Sequence, residues 1–269
     1  MPTRSLPDDW LEAMRDGDFG RAWRIGDAVI ADERSRGAPD LPRWLRRVWD
    51  GQPLAGKTVL VRCWRGLGDT LQFSRFLPDL AAICRQVQVA PQPELAPLVA
   101  RIAPLASIVP FESQGGSEAE VEITELGHIL RVSTADAAAR VPYLDVAPAL
   151  RPSRAFNVGI VAESGSWDAR RCVPVSALEP LAGVSGSAFF SLRPGACISW
   201  AADVSSRDVW MAAARVRSLD LVITADTFMA HLAGSMGVPT WTLLHTEPDW
   251  RWLRGDNTPW YPEMRLFRQ

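Results

Sequence analysis

From Lys57 onward, short apolar runs alternate with stretches of helical spacing, and few folds accommodate that alternation. The runs are "KTVLVRC", "VQVA", "ASIVP" and "VEIT", with helical segments after Asp69 and around residues 94 to 102. Such βαβ logic predicts a parallel sheet flanked by helices. A second series follows: "NVGIVA", a helix from Val175 to Ala182, "SAFFSL", a helix near 206 to 216, "LDLVITA", a helix from Thr227 to Met236, and "PTWTLL". The proline-rich "VPYLDVAPALRPSRA" separates the two series and predicts a linker, with domains at 51–150 and 151–269. Residues 1–50 read as a short N-terminal helical segment. Trp10, Leu11 and Met14, then Phe19, Trp23 and Ile30, fall at helical spacings, with Asp8 or Asp9 as the expected N-cap.

Composition narrows the class. A chain of 269 residues with 47% hydrophobic content can bury a sizeable core. A net charge of -2 argues against nucleic acid as partner, because phosphate backbones are met by basic domains or stripes. No apolar run reaches 18 residues and "MPTRSLPDDW" lacks an apolar leader, so no membrane span and a cytoplasmic location are expected. Cys63, Cys84, Cys172 and Cys197 show no CxxC spacing, and only His128, His231 and His245 are histidines. Reduced, buried thiols and no zinc site are the expectation.

In open α/β sheets, ligands gather at the carboxyl ends of strands. Two constellations occupy such ends. In "RGLGDTLQFSRFLP", Gly66 and Gly68 permit backbone angles that other residues avoid, and Asp69 opens a helix that Pro78 should kink. Asp69 suits a capping residue and also a general base for a positioned hydroxyl; the two roles are compatible. In "LDLVITADTFMAHLAGSMGVPTWTLL", Asp226 and Thr227 open a helix and His231 lies one turn on. Free amides, a hydroxyl and an imidazole at a helix start suit a pyrophosphate. Capping by Asp226 or Thr227, with His231 merely packed, explains the same residues.

These two motifs, with the terminal "DWRWLRGDNTPWYPEMRLFRQ", resemble in order the glycosyltransferase module of bacterial tetratricopeptide proteins, related to the heptosyltransferases. The likeness covers roughly residues 50 to 269. "GDFGRAWRIGDAVI" in the prefix also resembles one tetratricopeptide hairpin, without a second copy, and is expected to cap the next domain. The resemblance implies a GT-B-like architecture: two Rossmann-like domains facing a cleft, with a last segment crossing back to the first. It also implies sugar transfer from a nucleotide-sugar donor, with no cofactor and no metal, to an unidentified glycan, small-molecule or protein acceptor. Under it, Asp69 is the base, and Asp226, Thr227 and His231 belong to the donor-phosphate loop. Arg170 and Arg171 in "SWDARRCVP" would meet phosphate charge, or form a solvated pair. Ser191 to Arg193 matches the strand end at the nucleotide base, where the family more often has glutamine in place of Arg193. Trp64 and Arg65 replace the usual Glu-Gln, and "AESG", with Ala162, replaces Trp-Ala-Gly. A second function class is therefore a binding or scaffold protein that kept the frame and lost turnover. A dinucleotide oxidoreductase is disfavoured, since no GxGxxG follows a strand. Trp250, Trp252, Trp260 and Tyr261 are expected to serve structure rather than to stack on sugars. His128 is expected to be structural as well, and His245, Glu247 and Asp249 to border the site or its loops.

Overall fold

A computed structural model describes residues 6–37, 39–165 and 168–269. The chain divides into two compact units, Met1–Arg140 and Val141–Gln269.

The first unit begins with α1 (Leu6–Arg15) and α2 (Phe19–Arg36). Asp8 and Asp9 lie in the first turn of α1 rather than before it. Asp18 caps α2, accepting from the Arg21 N–H at 2.9 Å. Trp23 is buried and its indole N–H donates to the Val132 carbonyl at 2.8 Å. A side chain at Gly26 would lie 2.6 Å from the His128 ring, so this glycine is what admits the ring. His128 is stacked on Trp23 and bonded to Asp27 at 2.9 Å, and Arg131 holds both oxygens of the same aspartate. The helical prefix is thus continuous with the first unit, and His128 is one of the residues that join them.

After the prefix come β1 (Thr58–Arg62), α3 (Leu67–Ser74), α4 (Leu77–Ile83) and β2 (Gln86–Ala90). They are followed by α5 (Ala96–Ile102), β3 (Ser107–Ile108), β4 (Ala119–Glu122), α6 (Leu126–Ile129) and α7 (Thr134–Ala139). The sheet order is β3-β2-β1-β4, parallel throughout. Every residue of β1 is buried, as a central strand covered on both faces requires. Pro78 divides the expected single helix into α3 and α4 rather than kinking it, and takes an early position in α4, where its missing N–H costs nothing.

The second unit carries β5 (Phe156–Val161), α8 (Val175–Leu178), β6 (Ser187–Ser191), β7 (Ala202–Asp203) and α9 (Val209–Arg217). Then follow β8 (Leu221–Ala225), α10 (Phe228–Ser235), β9 (Thr240–Leu244) and β10 (Met264–Arg268). Its parallel sheet has the order β10-β9-β8-β5-β6-β7. Val158, Ile160, Leu221 and Ile223 supply one face of the core, closed by Leu178 and Ile198.

Three expectations change here. The proline-rich stretch belongs to the second unit: the Tyr143 and Leu144 amides donate to the Ser235 carbonyl, and Leu144 and Val146 are buried. The terminal segment ends in a strand that its sequence pattern had not marked, β10, in register with β9 from Met264 opposite Thr240. An alternating "MRLFR" fills an open sheet edge, and Met264 and Leu266 point inward. Finally, all four cysteines are free, but Cys172 and Cys197, in loop segments of the second unit, are exposed. Among the described residues no helix is long and apolar enough to cross a membrane.

Candidate functional site

In the first unit, the candidate residues collect where β1, β2 and β4 end. Gly66 is the N-cap of α3, with φ −66 and ψ 160, which any residue can adopt. Gly68 lies inside the first turn of the helix and is not among the residues with positive φ. Neither glycine is therefore required by its backbone angles. What Gly66 provides is closeness: the Asp69 carboxylate folds back and accepts its N–H at 2.9 Å. Asp69 is half-buried at the third helical position, where both cap and macrodipole favour a negative charge.

The turn is braced from β2. Thr70 donates to Gln92 Oε1 at 2.9 Å, and Gln92 Nε2 donates to the Arg65 carbonyl at 2.8 Å. Behind it stand two buried groups that the sequence did not single out. Glu122, at the end of β4, is 2% exposed. Its Oε2 accepts the Thr124 amide and hydroxyl, whereas Oε1 has no hydrogen-bond partner. Burial pushes its carboxyl up to about 7; the Thr124 bonds and Arg65 oppose the rise, and neighbouring Glu125 adds to it. Gln72, fully buried on α3, has neither amide atom bonded. No local pattern marks these residues, because burial is a property of the tertiary fold.

In the second unit, the candidate residues lie at the carboxyl ends of β5, β6 and β8. Thr227 is the N-cap of α10, and its Oγ1 accepts the Met229 N–H at 3.1 Å. The capping role is Thr227's, which leaves Asp226 a different one. Asp226 is 7% exposed, and burial raises its pKa, an effect that nearby Asp249 reinforces. The Trp252 indole N–H, Arg171 and Arg251 act the other way, although the indole falls short of hydrogen-bond geometry. His231 is also buried. Its Nδ1 lies 2.9 Å from the Tyr261 hydroxyl, and its ring stacks on Trp252 with centroids 5.4 Å apart.

The arginine pair divides. Arg171 donates to the Asp226 carbonyl at 2.9 Å and so belongs to the start of α10. Arg170 is exposed and grips Asp168 through two bonds of 3.0 and 2.9 Å, with Glu247 at 3.7 Å. Its guanidinium draws the Asp168 carboxyl down to about 2. Ser166 and Trp167 of the same segment lie outside the described residues. Arg193 leaves the end of β6 to donate to the Ser164 carbonyl at 2.7 Å and to face Glu163 at 3.4 Å. Ser191 is buried, 3.5 Å from the Arg193 carbonyl oxygen. Trp252, Trp260 and Tyr261 are fully buried, as expected of structural aromatics, but Trp252 and Tyr261 pack on His231 itself. Among the described residues no group of three or more His, Cys, Asp or Glu side chains is placed to hold a metal ion.

No protein-family model matches the chain. Protein FlbA of Caulobacter vibrioides is 26% identical over 318 residues, covering 93% of this chain and 49% of FlbA. The chain thus spans about half the length of that relative. Among solved structures, the glycosyl transferase family 9 protein of Veillonella parvula has a TM-score of 0.58 at 11% identity, covering 81% of this chain and 87% of its own. Heptosyltransferase II of E. coli has a TM-score of 0.54 at 12% identity, covering 78% and 90%. The iron-containing dodecameric glycosyltransferase TibC of enterotoxigenic E. coli has a TM-score of 0.54 at 13% identity, covering 78% of this chain and 63% of TibC, which was also solved with ADP-D-β-D-heptose. At such identities the likeness is one of fold. The chain has the α/β, GT-B-like fold of the heptosyltransferases.

Proposed function

We propose that this chain transfers a hexosyl or heptosyl group from a nucleotide-diphosphate sugar to an acceptor hydroxyl. The observation that carries the reading is the group at the start of α10. There Thr227, His231 and Arg171 stand with the helix amides at the carboxyl edge of a parallel sheet, the kind of place where phosphates bind. The fold likeness to heptosyltransferases, one of them solved with ADP-heptose, points to the same donor class.

In this reading the Asp69 carboxylate accepts the proton of the acceptor hydroxyl. The acceptor oxygen then bonds to the anomeric carbon as the bond from that carbon to the diphosphate oxygen breaks. The electron pair leaves with the diphosphate, whose charge is met by Arg171, His231 and the α10 amides rather than by a metal ion. Fixed donors aimed at developing charge supply most of the rate in such a scheme. Asp226 is a buried carboxyl beside them, its pKa raised by burial against the opposing influence of Trp252, Arg171 and Arg251.

A non-catalytic binding protein is the second reading. Two observations favour it: Asp69 already holds the Gly66 amide, and Arg193 is tied to the Ser164 carbonyl and Glu163. Paired variants separate the two. Under the transferase reading, Asp69→Asn lowers transfer by about 10²-fold or more and leaves ADP affinity unchanged. His231→Ala weakens ADP binding by about tenfold, the equivalent of one charge-assisted contact. Isothermal titration with ADP, UDP and GDP measures the second effect, and radiolabelled sugar transfer the first. Turnover by the Asn variant at the wild-type rate would remove Asp69 from the mechanism.

A further inference from the structure

The terminal aromatics were read as structural, and most of their surface is. One contact goes further. Tyr261 directs its hydroxyl at His231 Nδ1 from 2.9 Å, with both residues buried. A neutral imidazole has one donor nitrogen and one acceptor nitrogen, so the partner of one nitrogen decides what the other can offer. We infer that Tyr261 is a positioning residue that donates its O–H to His231 Nδ1, and so keeps the histidine proton on Nε2 for a phosphate oxygen of the donor. This rests on the proposed donor-phosphate reading of α10 and gives that site its protonation state. With the opposite tautomer, Nδ1 would donate to the tyrosine oxygen, and Nε2 would present a lone pair to an anion.

The surroundings of Tyr261 hold the arrangement. A side chain at Gly234 would come within 2.4 to 2.8 Å of the Tyr261 ring, so the absence of one lets that ring lie directly on α10, one turn beyond His231. The backbone is fixed as well: the Tyr261 carbonyl accepts the Met264 amide at 3.0 Å, at the first residue of β10. The strand that fills the sheet edge therefore also sets the height of the tyrosine. Trp252 covers the imidazole face at an interplanar angle of 23°, which limits rotation of the ring. Residues brought from about 20 and 30 positions downstream thus control one side chain on α10.

The test uses the full chain labelled with nitrogen-15. Only three histidines are present, so the His231 signals follow from the spectrum of one His231→Asn variant. Long-range proton–nitrogen spectra at pH 8 are expected to show His231 with Nε2 protonated and Nδ1 bare. Tyr261→Phe keeps the ring on Gly234 and is expected to give mixed tautomers. Its ADP affinity is expected to fall about 2- to 10-fold, the effect of one net hydrogen bond. A wild-type Nδ1 proton would overturn the inference. An unchanged tautomer or an unchanged ADP affinity in Tyr261→Phe would do the same. Should the variant not fold, the wild-type tautomer alone still decides. The spectra need no ligand, so a protein that ignores ADP would refute the phosphate seat while the tautomer of His231 was read independently.

Discussion

Glu122 shows how a single residue can set the pH response of the first unit. Its carboxyl is held near 7 by burial, against about 4.5 for an ordinary glutamate. Between those two values the folded chain keeps a proton that the unfolded chain has released. Stability therefore falls as pH rises from about 4.5 to about 7, and levels off above. Glu125, also buried and raised, pushes in the same direction. Glutamine reproduces the neutral acid at nearly the same size, so Glu122→Gln should melt higher than wild type at pH 8, with the difference vanishing by pH 5. Scanning calorimetry at the two pH values reads this directly; a gap that widened toward low pH would mean that folding lowers the Glu122 pKa instead of raising it. Such a residue is invisible in "VEITE", which reads as a strand end with ordinary acids. Asp69, Asp226, Thr227 and His231 were legible because each follows an apolar strand at a helix start, a local pattern. Which of the pair Asp226 and Thr227 caps the helix depended on backbone geometry that the pattern does not contain.

Among the elements, period and punctuation carried most of the fold. β1, β2, β5, β8 and β9 lie where apolar runs placed them; β1 and β8, buried along their whole length, are the strands richest in Val, Ile and Leu. Pro78 was seen as an irregularity but divides two helices, because position within a helix, not presence alone, decides what proline does. β10 went unread: "MRLFR" has strand alternation, yet only a vacant edge beside β9 gives it a partner. Gly66 and Gly68 were legible as a signal and misread as to cause. Gly66 has an ordinary φ, but a Cβ there would stand 3.2 Å from the Asp69 carboxylate, so Gly66→Ser should change stability by no more than a few tenths of a kcal/mol, the better cap being offset by that contact. Gly234 lies within α10, and there a new methyl meets the Tyr261 ring at 2.4 Å. Gly234→Ala should cost about 1 to 3 kcal/mol, as overpacking does, and displace the tyrosine from His231. Urea denaturation of both variants checks the contrast; equal losses would mean that backbone entropy, not the ring, governs both sites.

The whole molecule separates its two chemistries by unit. Gly66, Asp69, Gln92 and Glu122 all fall in Met1–Arg140, and Arg171, Arg193, Asp226, Thr227, His231 and Tyr261 all fall in Val141–Gln269. If the second group seats a nucleoside diphosphate, the binding energy first stabilises the unit that holds it. A ligand at a hundredfold excess over its Kd adds about 2.7 kcal/mol to the folded state. Local opening in that unit becomes correspondingly rarer, which hydrogen exchange detects segment by segment. With ADP present, amides at the start of α10 and around Trp252 to Tyr261 should exchange more slowly, the latter because Tyr261 and Trp252 pack on His231. The amides of β1 to β3 should keep their rates. His231→Ala should weaken the protection at both segments, since ADP binds less tightly and the imidazole no longer touches Tyr261 and Trp252. Protection at α10 that left the terminal segment unchanged would show that the aromatics merely fill space, and protection confined to β1, β2 and the start of α3 would move the phosphate seat to the other unit.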